Sequence, residues 1–266
     1  MPPRLLPRLL SRLLPPLPAG APELDRANVV VFLWATLLLI VFQYFGKPES
    51  YRNSGLESLL SPLAGHALGT HADLAPYAYW GAASLLLRTL IPLTVVAVLF
   101  RASPRDFGWR WRGTLSHAPI YVGLWLAMLP LLIAASTMPS FQAKYPFYRG
   151  AMAGGLTFWG YELAYGLQFL GVEAFFRGFL TFSLFRRFGH YALFIMAIPY
   201  VMIHFNKPLP EVFGAFAAAL LLGALALRTG SFIPGFFLHW AIGITMDVLA
   251  IAKANGGWRN ALAVVF

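Results

Sequence analysis

Three side chains capable of acid–base chemistry interrupt apolar stretches in the second half of the chain: Glu173, His204 and His239. A carboxylate and two imidazoles that meet in a water-accessible cavity can take a proton from water and stabilise an oxyanion during peptide hydrolysis. An ionisable group in a hydrocarbon environment is costly, so each one needs a partner, a wet cavity or a functional role. We therefore interpret these three residues as candidate catalytic groups.

Three more ionisable side chains can support them. Arg177 follows Glu173 at i+4, so a helix places both on one face, where the arginine can fix the position and charge of the carboxylate. Asp247 lies about two turns after His239, and Glu211 opens another apolar run. Either carboxylate can orient a histidine or act as a second acidic group. The alternative interpretation of Glu173 and Arg177 is a structural ion pair that locks helices together.

The elements that must position these residues are membrane helices. Of the 266 residues, 59% are apolar and only 11% are charged, whereas soluble domains have roughly 45–50% and ~25%. Since a spanning helix needs roughly 20 mostly apolar residues, the sequence predicts an all-α fold, a polytopic transmembrane helical bundle of about seven spans. The predicted spans are residues 29–45, 82–100, 118–135, 156–185, 191–204, 212–227 and 232–251.

Charge and cysteine content exclude several functions. The net charge is +10, but the excess lies in short loops and at the N-terminus, where membrane topology places Lys and Arg. We therefore expect the lipid bilayer, and no nucleic acid, as a partner. The chain has no cysteine, which removes disulfides, thiolate nucleophiles and cysteine-ligated metals from consideration.

The chain divides into three predicted segments. Residues 1–26 form a basic amphipathic or disordered arm, 27–151 a transmembrane scaffold, and 152–266 a catalytic-type transmembrane core. The arm has an arginine at every fourth residue and several prolines, which is unlike a secretory signal peptide. The distribution of Lys and Arg among the loops predicts a cytoplasmic N-terminus. Short loops and small size favour a bacterial inner membrane.

The order of three motifs resembles one family. Glu173 and Arg177 stand in Glu-x-x-Phe-Arg-Gly-Phe-Leu, an aromatic-x-x-x-His motif ends at His204, and His239 follows Arg-Thr-Gly-Ser. Over about residues 156–247 this order is similar to the CPBP family, the CAAX prenyl protease and bacteriocin-processing, ABI-type intramembrane endopeptidases. The resemblance implies a membrane bundle whose cavity is enclosed by its last four spans.

Two positions depart from the family pattern. The usual first motif is Glu-Glu-x-x-x-Arg, and Val172 stands in place of the first glutamate, which is usually taken as the general base. The third motif, His-x-x-x-Asn or Asp, is half met because Gly243 follows His239 at i+4. Glu173 would therefore have to supply the base itself.

The resemblance implies an intramembrane endopeptidase that cleaves a membrane-anchored protein or peptide near its membrane-embedded end. Family members are described as glutamate-dependent or as zinc enzymes. A zinc site prefers at least three protein ligands, and the depleted polar set here predicts no tight metal site, so we expect no cofactor.

Two other functions remain open at this point. The loss of polar groups at Val172 and Gly243 favours a catalytically inactive relative that binds or chaperones membrane substrates. A transporter-like or purely structural membrane protein is the second alternative, which the ordered motifs disfavour. The retained ionisable groups favour the enzyme.

Overall fold

Every regular element in the described part of the chain, residues 25–266 of this computed structural model, is helical. The predicted all-α bundle is therefore confirmed. The predicted N-terminal arm lies outside the described residues except for its last two, where Asp25 accepts a hydrogen bond from the Ala27 amide at 3.0 Å and caps the first helix.

The first half contains α1 and a second, longer helical stretch that includes two π-helical turns. A π-helical turn at Leu86–Leu90 and another at Val95–Leu99 continue α4 and α5 without a break. The helices are α1 Arg26–Phe45, α2 Pro48–Asn53, α3 Leu56–Leu68, α4 Ala75–Leu85 and α5 Ile91–Thr94.

The second half contains one long continuous helix. A π-helical segment, Ala174–Thr181, joins α8 to α9, so that the chain runs as one helix through both. The helices are α6 Ala118–Ser136, α7 Pro139–Lys144, α8 Gly155–Glu173, α9 Phe182–Phe188, α10 Tyr191–Met202, α11 Leu209–Thr229, α12 Ile233–Ala254 and α13 Trp258–Val265.

Among residues 25–266, five helical stretches are long and apolar enough to cross a membrane, so the protein is an integral membrane protein. They are Arg26–Phe45, Leu56–Leu99, Ala118–Ser136, Leu209–Thr229 and Ile233–Ala254. The apolar α10 is shorter. These six helical stretches, together with the continuous helix formed by α8 and α9, overlap the seven predicted spans. The second predicted span begins earlier than residue 82, because Pro76 opens α4 at its first turn.

Glycines bring α8 close to its neighbours. A Cβ at Gly81 of α4 would lie 2.7 Å from the Ala164 carbonyl oxygen, and one at Gly171 would lie 2.2 Å from Ser84 Oγ. On the α12 side, a Cβ at Gly166 would lie 2.8 Å from the Trp240 ring. Small residues permit such approach between membrane helices. As a result α8 lies between α4 and α12, and the side chains at its C-terminal end are enclosed.

Candidate active site

Glu173 and Arg177 form a fully enclosed ion pair. Glu173 Oε1 lies 3.0 Å from Arg177 Nη1, and both side chains are 0% exposed. Glu173 ends α8, and Arg177 lies in the π-helical segment that follows. Such π turns frequently occur at functional sites. The i+4 contact expected from the sequence is thus present.

His239 reaches the same carboxylate from α12. Its Nδ1 lies 2.8 Å from Glu173 Oε1, and its ring centroid lies 4.4 Å from that of Phe169. Since a carboxylate accepts, Nδ1 carries the proton and donates it, which leaves Nε2 as the nitrogen available for chemistry. The His239 side chain is 17% exposed.

His204 is held at the end of α10. Its Nδ1 donates to the Tyr200 carbonyl oxygen at 2.8 Å. The last carbonyls of a helix have no partner within the helix, so the imidazole satisfies one of them. The ring is thereby fixed, again with Nε2 available.

Tyr200 connects the two histidines through the ion pair. The Arg177 guanidinium lies 3.9 Å from the centroid of the Tyr200 ring, and that ring lies 4.7 Å from the His204 ring. A continuous series of contacts therefore runs from His239 through Glu173, Arg177 and Tyr200 to His204. Such a network holds both imidazoles in a defined relative position.

Both histidines line one cavity of about 800 Å³. Its walls are mostly apolar side chains from α6 and α11, among them Leu124, Met128, Leu131, Leu221 and Leu222. The expectation that only the last four spans enclose the cavity is therefore wrong, because α6 is the third span. Glu173, although it contacts His239, is 0% exposed and is not part of the lining. The sequence predicts that Glu173 acts directly on water. In the structure Glu173 does not line the cavity, and it contacts His239, which does.

Glu211 lies on the cavity wall with partners of its own. Its Oε1 is 2.5 Å from Lys207 Nζ, and its Oε2 accepts a hydrogen bond from Tyr145 Oη at 2.5 Å. Burial, followed by the Glu211 charge, raises the pKa of Tyr145 well above its usual value, so the phenol remains a donor. The structure does not bring Glu211 to Glu173 or to a histidine.

Asp247 is 0% exposed, and its neighbours are Glu162 and Tyr161, not His239. Eight residues of helix advance by about 800°, which turns Asp247 about 80° away from His239. Sequence reasoning missed Glu162. The feature that could have identified Glu162 is its position eleven residues before Glu173, which is about three helical turns away and on nearly the same face.

The two departures from the family motifs are accommodated by apolar packing. Val172 is 3% exposed and packs in an apolar cluster with Phe175 and Phe176. A Cβ at Gly243 would lie 2.6 Å from Phe169 Cε2 and 3.4 Å from Tyr165 Cε1. The Phe169 ring therefore occupies the space that an asparagine or aspartate at position 243 would need.

Gly243→Asn is expected to lower the free energy of unfolding by about 1–3 kcal/mol, because the new side chain collides with Phe169. In a Phe169→Ala background the same substitution should cost clearly less, as a double-mutant cycle from thermal unfolding in detergent can measure. Gly214→Asn is the matched control, since a Cβ at that helical glycine meets nothing within 4 Å. Equal losses at Gly243 and Gly214 would contradict the collision.

Within residues 25–266, no group of three or more histidine, cysteine or carboxylate side chains is placed to hold a metal ion. Both cavity histidines line the same space, and Glu173, the carboxylate that contacts His239, is already shared with Arg177.

Comparison with known families identifies the region that contains this site. Residues 147–245 match the family described as Type II CAAX prenyl endopeptidase Rce1-like. The matched region extends from the loop before α8 to the middle of α12 and includes Glu173, His204 and His239. No curated protein and no solved structure is significantly similar to the chain.

Proposed function

We propose that this protein is an intramembrane endopeptidase, because residues 147–245 match the Rce1-like family of type II CAAX prenyl endopeptidases. Its substrate is a membrane-anchored protein or peptide, which it cleaves near the membrane-embedded end.

The contact between Glu173 and His239 carries the proposal. An imidazole with an ionised carboxylate at one nitrogen and a cavity at the other is the arrangement of a general base. Here the carboxylate lies 2.8 Å from Nδ1 of a histidine that lines an 800 Å³ cavity. A purely structural ion pair between Glu173 and Arg177 would not require this third partner.

The proposed reaction begins with a water molecule in the cavity, which donates one hydrogen to His239 Nε2 and the other to His204 Nε2. His239 takes the proton as the water oxygen attacks the peptide carbonyl, and Glu173 stabilises the imidazolium that forms. The imidazolium donates first to the oxyanion and then transfers the proton to the leaving amine. Arg177 keeps Glu173 ionised throughout.

An inactive relative that binds or chaperones membrane substrates is the second candidate. It is favoured by the burial of Val172 in an apolar cluster and by the Phe169 ring next to Gly243. These two positions lack the polar groups of the family pattern. The two functions differ in whether a bound substrate is cut.

The test is cleavage of membrane-anchored peptides by purified protein in liposomes. Glu173→Gln is expected to lower the cleavage rate at least about 100-fold, because a neutral amide cannot stabilise the His239 imidazolium. Glu57→Gln, at an exposed glutamate of α3 that does not line the cavity, is the matched control and should retain most of the activity. Undiminished cleavage by Glu173→Gln would refute the mechanism, and binding without cleavage by the wild type would support the inactive relative.

We also propose that the protein lies in a bacterial inner membrane with a cytoplasmic N-terminus. The loop between the second and third spans contains Arg101, Arg105, Arg110 and Arg112, and cytoplasmic loops are rich in Lys and Arg. Because the chain has no cysteine, single cysteines at the exposed Ser103 and Ser140 can report the orientation. An impermeant thiol reagent outside intact cells should label position 140 and not 103, and the reverse pattern would invert the topology.

A further inference from the structure

A second polar cluster lies between α8 and α12, separate from the histidines. It consists of Glu162 and Tyr161 from α8 and Asp247 from α12, each 0% exposed. The two carboxyl groups are close enough to interact, and the Tyr161 hydroxyl lies next to Asp247. The candidate reaction uses none of these groups.

No hydrogen bond of normal length and angle reaches these side-chain atoms within the described part of the chain. All four carboxyl oxygens of Glu162 and Asp247 are buried without a hydrogen-bond partner, and so is the Tyr161 hydroxyl. Trp240 Nε1 donates at 3.0 Å to the Glu162 backbone oxygen and lies beside the Glu162 carboxyl group. The cluster therefore combines unpaired acceptors with an unpaired hydroxyl that is fully buried beside them.

The charged groups around the cluster do not neutralise it. Lys207 and Glu211 are the other charged side chains that act on Asp247, and they are bonded to each other at 2.5 Å. Tyr165 is the remaining titratable neighbour from α8. Two adjacent ionised carboxylates without a cation are far too costly inside a membrane protein. The cluster must therefore bind a positive charge.

We propose that Glu162 and Asp247 form a proton-binding site, in which one proton is shared as a carboxylic acid–carboxylate pair and the Tyr161 hydroxyl donates to the remaining charge. A hard metal ion such as Ca²⁺ takes 6–8 oxygen ligands, more than the five side-chain oxygens of this cluster. The shared proton accounts for the side-by-side burial of the two acids.

The site connects the same two helices as the candidate active site. Glu162 and Glu173 both lie on α8, while Asp247 and His239 both lie on α12. The proton-binding pair therefore fastens α8 to α12 a few turns from the contact between Glu173 and His239. This inference does not depend on peptide cleavage.

Infrared spectroscopy of the purified protein in lipid nanodiscs tests the site. At neutral pH the wild type should show the carbonyl band of a protonated carboxyl group, shifted by exchange into heavy water. The band should be absent from the Glu162→Gln/Asp247→Asn double variant and retained in Glu57→Gln, the matched control at an exposed glutamate of α3. If the double variant does not fold, Glu162→Gln and Asp247→Asn must each shift or remove the band.

Sodium ions distinguish a proton from an alkali-metal ion. Replacing choline chloride by sodium chloride should leave the band unchanged. Loss of the band in sodium would overturn the proposal in favour of a metal ion. A wild-type spectrum without a band that depends on Glu162 and Asp247 would overturn it entirely.

Discussion

Replacing His239 by glutamine is expected to lower kcat/KM for cleavage of a membrane-anchored peptide about 10²–10⁴-fold. Glutamine can still donate a hydrogen bond to Glu173, but it offers no nitrogen that can take a proton from water. His239 contacts both the buried carboxylate and the cavity. The loss should therefore appear mainly in kcat, measured in liposomes with a validated substrate.

His190→Gln provides the matched control for this result. His190 is an exposed histidine at the start of α10, and the same substitution there should leave kcat and KM unchanged. Circular dichroism should show the same helix content for both variants. If His239→Gln cleaved the peptide at the wild-type rate, His239 could not be the base, and His204 would be the remaining candidate.

Removing the other partner of Glu173 is expected to affect folding more than any surface change. Arg177→Met leaves a carboxylate that is 0% exposed with only His239 beside it, and loss of one member of a buried ion pair costs about 3–5 kcal/mol. The substitution also removes the guanidinium from the Tyr200 ring. Unfolding in mixtures of mild and denaturing detergent measures the change.

Two comparisons make this prediction specific. Arg259→Met, at an exposed arginine of α13, should change the unfolding free energy little. The Glu173→Gln/Arg177→Met double variant should be more stable than Arg177→Met alone, because it leaves no unpaired charge. A single variant as stable as the wild type would mean that the ion pair does not hold the bundle together.

Much of the fold could be predicted because lipid permits few structures. Backbone groups must be satisfied within each span, so long apolar runs become helices. The connecting region of residues 46–74 gave no such signal. Its helices α2 and α3 are short or exposed, and α3 has no buried residue. The three π-helical segments also lacked a recognisable pattern, because they depend on packing between helices.

The site was predictable only where the contacts are local. The i+4 spacing of Glu173 and Arg177 predicted an ion pair that the structure contains. The contact between Glu173 and His239 joins residues 66 positions apart and depends on how α8 and α12 are aligned, which no local pattern encodes. The same alignment turns Asp247 toward Glu162. Whether Glu173 faces the cavity also depends on tertiary packing.

The length of α10 has a consequence for the surrounding lipid. Its 12 residues extend roughly 18 Å, whereas the hydrocarbon layer is about 30 Å thick. A segment this short imposes hydrophobic mismatch, which bilayers relieve by local thinning. We expect such thinning to draw headgroups and water toward the end of α10, where His204 lies. The polar part of an anchored chain can then approach the cavity without crossing a full layer of acyl chains.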